Sequence, residues 1–261
     1  MVDHEESTPG QPATPPDIGA NLPRARDSMQ DLARVFDATI LVMAHLAEAG
    51  EAGNHIVRIQ HYTRALAQKL KSSPAYGRRM SEHTIGLLFR ACPLHDIGNA
   101  GVPDRILLKP GSLSQDEIDI VRTHPVLGRD AIEKIRRGAG VSTEFLEIAR
   151  DVAHGHHERW DGQGYPQGLA SERIPMVARV MAIADAYDAL TSDRVYRPGV
   201  AHDKAVQQIF QERAAQFDPD MVDAFIEIQD EFAAIAERYA DTDSDLQQTI
   251  DYMAMAIAES P

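Results

Sequence analysis

Two stretches decide the reading of this chain: Pro93-Leu94-His95-Asp96-Ile97-Gly98, and His156-His157-Glu158-Arg159-Trp160-Asp161-Gly162-Gln163-Gly164-Tyr165-Pro166. An adjacent His-Asp pair and an adjacent His-His pair put four metal-type ligands into two short segments. Imidazole nitrogen and carboxylate oxygen suit zinc, manganese, iron and nickel. A carboxylate that bridges two ions beside several imidazoles lets both ions act on one activated water. On these residues alone the chain reads as a metal-dependent hydrolase.

Further candidate ligands lie outward from this pair. His95 and Asp96 follow Leu87, Leu88 and Phe89 and are expected to end an apolar helix just before Gly98. Glu51 and His55 are four apart, so one helical face or helix entry can present both. His124 precedes Pro125 inside a helical stretch, and His156 and His157 end the segment from Phe145 to Ala153. Asp185 stands in Ala182-Ile183-Ala184-Asp185-Ala186, where an unpaired carboxylate is costly and a metal is a fitting partner. His4, His45, His61, His83, His154 and His202 read as structural or surface residues, although His154 is only two residues from His156.

The rest of the chain predicts an all-α fold. Met29, Leu32, Phe36, Ile40, Met43 and Leu46 recur at helical spacing, and Ile56, Ile59, Tyr62, Leu66 and Leu70 repeat the pattern. Ser114-Gln115-Asp116-Glu117 is a capping box. Asp218-Pro219 sets a capping residue before a proline at the first helical position. Ile174 to Leu190 is apolar on several faces and predicts a buried helix, while Gly98 to Gly111 and Arg159 to Arg173 read as loops. Period-2 runs of β-branched residues are scarce.

Four divisions follow: a disordered tail over 1–23, where five prolines stand among polar residues; an N-terminal helix over 24–50; a catalytic domain over 51–238; and a helical extension over 239–261. Leu246, Ile250, Met253 and Ile257 form one stripe of that extension. The stripe fits packing on its own domain, or a partner helix in a homodimer together with the helix at 24–50.

Composition bounds the function. The 261 residues are 43% hydrophobic, enough for a real core, and Cys92 is the single cysteine, so no disulfide framework forms within the chain. No stretch approaches the roughly 18 apolar residues of a membrane span. The acidic, polar start is no secretory signal, and a cytoplasmic protein is expected. The formal net charge of −14 argues against a DNA- or RNA-binding surface, but not against a small anionic substrate in a cation-loaded cleft.

At this point the chain resembles the HD-GYP family of bacterial signalling phosphodiesterases. The resemblance runs roughly over residues 40–235. It is carried by Gly53-Asn54-His55, the two opening stretches, Ile106 to Gly111, Thr123-His124-Pro125, Ile174-Pro175, Ala184-Asp185-Ala186-Tyr187-Asp188-Ala189-Leu190-Thr191-Ser192-Asp193-Arg194 and Phe217-Asp218-Pro219. It implies an HD-superfamily helical bundle with a metal site in its core, hydrolysing cyclic di-GMP to the linear dinucleotide or GMP. It implies that His55, His95, Asp96 and Asp185 hold one ion. Asp96 then bridges to a second, completed by His124, His156 and His157. Glu51 corresponds to the acidic residue that supports a third ion in some members. Iron or manganese is the expected metal, with nickel and zinc as alternatives. Arg194 and Arg197 are placed to contact phosphate or guanine, as arginine's planar fork suits both. Tyr165 shapes the pocket, stacks on a base or rigidifies its loop, and Asp188 binds a guanine edge or caps its helix.

The chain departs from the family at three places. Asn99 stands where the family has lysine, Val195 replaces a usual proline, and Ala214 replaces a usual glycine. The lysine would contact the scissile phosphate or protonate the leaving oxygen. Asparagine donates a hydrogen bond but brings no charge and no labile proton. Two alternatives to the active enzyme therefore stand: a slow or inactive cyclic-dinucleotide-binding module that works through a signalling protein partner, and a phosphohydrolase of another nucleotide.

Overall fold

Apolar residues spaced three and four apart become helix almost everywhere they occur. The structure, a computed structural model, describes residues 18–48, 54–109, 111–138, 140, 143–193 and 198–259. The described residues form α-helices and short 3-10 turns and no strand. No helix among them is long and apolar enough to cross a membrane.

The chain divides into two compact units, residues 1–38 and 39–261. In the first unit the described residues are helical, with Met29, Leu32, Val35 and Phe36 exposed. This helix, α1 (Ile18–Ala47), starts ahead of the expected Arg24, so residues 18–23 are helical. Pro23 falls in its second turn and removes one backbone hydrogen bond there. The remainder of the expected disordered tail, 1–17, lies outside the described residues.

The second unit continues with α2 (His55–Lys71), α3 (Glu82–Ala91), α4 (Asp104–Leu107), α5 (Gln115–Val121), α6 (His124–Gly138) and α7 (Glu144–Gly155). It closes with α8 (Met176–Thr191), α9 (His202–Gln211), α10 (Pro219–Glu227), α11 (Gln229–Arg238) and α12 (Asp243–Glu259). Side-chain caps start several of these. Ser81 accepts from Thr84 N–H, Thr143 from Leu146 N–H, and Ser114 and Glu117 complete the predicted capping box. Asp218 accepts from the N–H groups of Asp220 and Met221 ahead of Pro219, as the sequence predicts.

Helix α8 is the predicted buried helix. Every residue from Val177 to Ala184 is buried, and the helix lies among α2, α7 and α9. Beside it Tyr62 stacks on Phe232 with ring centroids 4.7 Å apart, while Tyr187 and Phe225 meet Phe232 edge-on. Such aromatic contacts add to the apolar burial that holds the bundle together.

Three local expectations are corrected. The apolar helix ahead of His95 ends at Ala91, and a 3-10 turn (Cys92–Leu94) containing Pro93 carries the chain on to His95. The span 98–111 is not all loop: a 3-10 turn (Ile97–Gly101) and the one-turn helix α4 lie in it, both too short for periodicity to reveal. His124 begins α6 rather than lying inside a helix. Along α12, Leu246 is half-buried and Ile250 exposed, and the side chains of Met253 and Ile257 lie outside the described residues.

Candidate metal centre

Short turns at helix ends place the ligands. Asp96 precedes the Ile97–Gly101 turn, and Gly98 follows it in close contact with the start of α6. A Cβ at Gly98 would stand 1.9 Å from the His124 carbonyl oxygen and 2.6 Å from Gly128 N. Only glycine permits this approach, and the approach sets His124 beside Asp96. At the end of α7, His156 caps the helix and His157 follows.

Nδ1–H donation fixes three of the rings. His95 Nδ1 bonds the Cys92 carbonyl at 3.1 Å, His124 Nδ1 the Val121 carbonyl at 2.8 Å, and His156 Nδ1 the Val152 carbonyl at 3.0 Å. This leaves their Nε2 atoms as acceptors aimed inward, the tautomer a metal ligand requires.

These atoms converge on Asp96. Its Oδ1 lies 3.1 Å from His124 Nε2 and 3.2 Å from His156 Nε2, and those two nitrogens are 3.4 Å apart. Among the described residues, Asp96 Oδ1 is nonetheless buried with no partner in hydrogen-bond geometry. A buried carboxylate oxygen facing ring nitrogens whose N–H groups point elsewhere is the arrangement that a shared cation satisfies. Ligand atoms of Asp96, His124, His156 and His157 all lie within 4.8 Å of one another, and so do those of Glu48, His55 and His95. The donor set of imidazoles and carboxylates therefore fits divalent ions at both groups.

The electrostatics agree. Burial pushes the His95 pKa down to about 3 and, with the neighbouring His156, holds His157 well below the ordinary imidazole range. Both rings are thus neutral and free to ligate. Burial opposes ionisation of Asp96, but His95, His124 and His156 outweigh it and keep the carboxyl well below its usual range. Burial also opposes protonation of His156, yet Asp96 and Asp185 outweigh that and raise its pKa.

The remaining expected residues fall in different places. Asp185 is close enough to His156 and Tyr165 to shift both. Asn99 donates from Nδ2 to Asp96 Oδ2 at 3.1 Å. Tyr165 stacks on His157, with ring centroids 4.8 Å apart, and the Arg122 guanidinium covers the tyrosine ring at 5.3 Å. Its loop is pinned by buried Glu158, whose two oxygens accept from Gln167 and Leu169 N–H at 2.7 and 2.9 Å. A Cβ at Gly164 would stand 2.3 Å from Arg159 N, so the turn accepts only glycine there.

Asp188 is turned into the interior of the bundle. It is 1% exposed, and its oxygens accept from His55 and Arg58, because that face of α8 turns onto α2. Glu51, Arg194 and Arg197 lie outside the described residues. His154 turns away and accepts from Arg129 Nη1 at 3.1 Å.

Sequence reasoning missed Glu48. It is buried at the end of α1, with its Oε2 4.0 Å from His55 Nε2. The available signal was a glutamate continuing the buried stripe of Ile40, Ala44 and Ala47.

Comparison with known proteins extends this geometry. The HD domain family model matches residues 42–221. A probable cyclic di-GMP phosphodiesterase of Vibrio cholerae is 45% identical over 216 residues, 82% of this chain and 49% of that protein. The cyclic di-GMP phosphodiesterase response regulator RpfG of Xanthomonas campestris is 34% identical, over 78% of this chain and 48% of its own length. The 3'3'-cGAMP-specific phosphodiesterase 2 of V. cholerae is 32% identical, over 79% of this chain and 37% of its own length. The chain thus spans about half or less of the length of these relatives. In fold it is similar to a crystal structure of a cyclic GMP-AMP-specific phosphodiesterase of V. cholerae, with a TM-score of 0.50 at 17% identity over 86% of this chain and 59% of that one. By the family match and the His-Asp, His-His-Glu and Gly-Tyr-Pro motifs, the chain belongs to the HD domain family and, within it, to the HD-GYP group.

Proposed function

We propose that this chain is a metal-dependent phosphodiesterase that opens cyclic di-GMP to its linear dinucleotide or to GMP. One observation carries the reading: Asp96 Oδ1, buried with no hydrogen-bond partner among the described residues and set between the Nε2 atoms of His124 and His156. Relatives named as cyclic di-GMP phosphodiesterases support the choice of substrate.

Asp96, His124, His156 and His157 would hold one divalent ion. Glu48, His55 and His95, with Asp185 nearby, would hold another. Asp96 faces both groups, since its Oδ2 lies 3.7 Å from His95 Nε2. Iron and manganese suit this donor set. When bound, the ions neutralise phosphate charge and lower the pKa of the attacking water. Asp96 holds the two groups in register, and its own low pKa keeps it an acceptor throughout the working pH range. Asn99 steadies Asp96 by hydrogen bond but supplies no proton to the leaving oxygen. Tyr165 holds His157 in place through their stack. Arg194 and Arg197 complete the reading as phosphate or guanine contacts.

Relatives named as 3'3'-cGAMP-specific phosphodiesterases favour one second reading, in which the hybrid cyclic dinucleotide is the substrate. The ratio of kcat/KM for cyclic di-GMP and 3'3'-cGAMP decides between them. The proposal expects the larger value for cyclic di-GMP. A larger value for the hybrid supports the second reading, and hydrolysis of neither contradicts both.

A further inference from the structure

We propose that Asp188 is a positioning residue for the ligand His55, and that Asp241, in the segment leading into α12, completes the buried chain of charges that holds it. The inference rests on the metal-centre reading above.

His55 differs from the three rings fixed by backbone carbonyls. Its Nδ1 bonds a carboxylate, Asp188 Oδ2, at 2.7 Å. That contact fixes the tautomer, with Nε2 directed toward Glu48 Oε2 at 4.0 Å, and makes the ring a stronger donor than a neutral carbonyl does. Asp188 is itself clamped. Its Oδ1 accepts from Arg58 Nε at 2.6 Å, and its Oδ2 from Arg58 Nη2 and Ser192 Oγ, each at 3.1 Å.

The chain of contacts continues beyond Arg58. This arginine is 3% exposed, and its Nη1 donates to the Tyr239 carbonyl and to Asp241 Oδ2, each at 3.0 Å. The other oxygen of Asp241 accepts from Asn54 N–H at 2.7 Å. Asn54 precedes α2 and makes no side-chain cap of its own, so Asp241 supplies the cap from across the fold. His55, the first residue of α2, is therefore gripped twice: through its ring by Asp188 and through its backbone entry by Asp241. One buried cation between buried Asp188 and half-buried Asp241 couples the two grips, because losing either carboxylate leaves Arg58 with half its charge partners.

The test is equilibrium dialysis of the full chain against graded manganese alone, with bound metal counted per chain. Asp188→Asn is expected to weaken one bound ion by about 10–100-fold and leave the ion at Asp96, His124, His156 and His157 at wild-type affinity. Asp241→Asn is expected to weaken the same ion by a smaller factor. In a His55→Ala background, Asp188→Asn should add nothing. A merely structural role would lower affinity for every ion, or lower thermal stability alone. Wild-type manganese binding by Asp188→Asn, or an equal loss in the His55→Ala background, overturns the proposal. Should Asp188→Asn not fold by circular dichroism, Asp241→Asn decides, and wild-type manganese binding there overturns it. A wild-type chain that binds no manganese, iron or zinc sinks the metal-centre reading itself, a result distinct from all of these.

Discussion

Asp96 belongs to one ligand group and its Oδ2 lies 3.7 Å from His95 Nε2 of the other, and a further polar neighbour is Asn99. Asn99 Oδ1 is buried with no hydrogen-bond partner among the described residues, so of this amide's two polar atoms only Nδ2 is bonded there. Asn99→Lys would bring a cation and a labile proton to the same place. It is expected to raise kcat by about 10–100-fold, the size of effect one charged transition-state contact commonly has. Asn99→Ala should change kcat far less, since a neutral hydrogen bond contributes only about 0.5–1.5 kcal/mol. Steady-state kinetics on the three proteins check both, and an unchanged kcat in Asn99→Lys contradicts this role. Tyr165→Phe should retain turnover, because the stack on His157 needs the ring and not the hydroxyl. Tyr165→Ala should lose at least part of it in the same assay. Most candidate ligands were legible in the sequence because imidazole and carboxylate declare their chemistry by type and adjacency. Glu48 and Asp188 were not. Glu48 looks like the polar end of an apolar stripe, and the direction of Asp188 depends on Arg58, which sits on a different helix.

Helices are positioned here by what their ends tolerate. Gly98 lets α6 deliver His124 to Asp96, and an added methyl would meet backbone atoms at 1.9 and 2.6 Å. Gly98→Ala is therefore expected to destabilise the fold by about 1–3 kcal/mol through overpacking. It should also weaken manganese binding, as displaced α6 carries His124 away. Thermal unfolding and metal titration check it, and wild-type values in both contradict the close-approach account. Within α8, Met181 is fully buried. Met181→Ala should cost about 2–5 kcal/mol, read from denaturant unfolding. Periodicity showed α2 and α8 and capping residues showed α5 and α10, because long apolar faces and caps are written locally. The 3-10 turns at 92–94 and 97–101 were not legible, since both are too short for periodicity and the second packs at Gly98 against α6.

Across the whole molecule, burial of imidazoles ties stability to pH. His95 and His157 have pKa values below the ordinary 6.5, so below about pH 6.5 the unfolded chain binds protons that the folded chain refuses. Their contribution is present above pH 6.5 and is lost as pH falls below it, for His95 down to about pH 3. His156 acts oppositely: its raised pKa stabilises the fold below 6.5, and this is lost as pH rises through the folded value. Burial lowers His61 and His154 as well, so four depressed rings against one raised ring give net destabilisation on acidification. The thermal midpoint of metal-free protein should be lower at pH 5.5 than at pH 7.5, and a higher midpoint at pH 5.5 contradicts this balance. The central claim is that the ligands around Asp96 serve hydrolysis of cyclic di-GMP. Its most direct test is product chromatography of cyclic di-GMP incubated with the manganese- or ferrous-loaded chain, beside Asp96→Ala. Turnover to linear dinucleotide or GMP that Asp96→Ala abolishes is the predicted result. Intact cyclic di-GMP after incubation with the metal-loaded wild type, or equal turnover by Asp96→Ala, would contradict it.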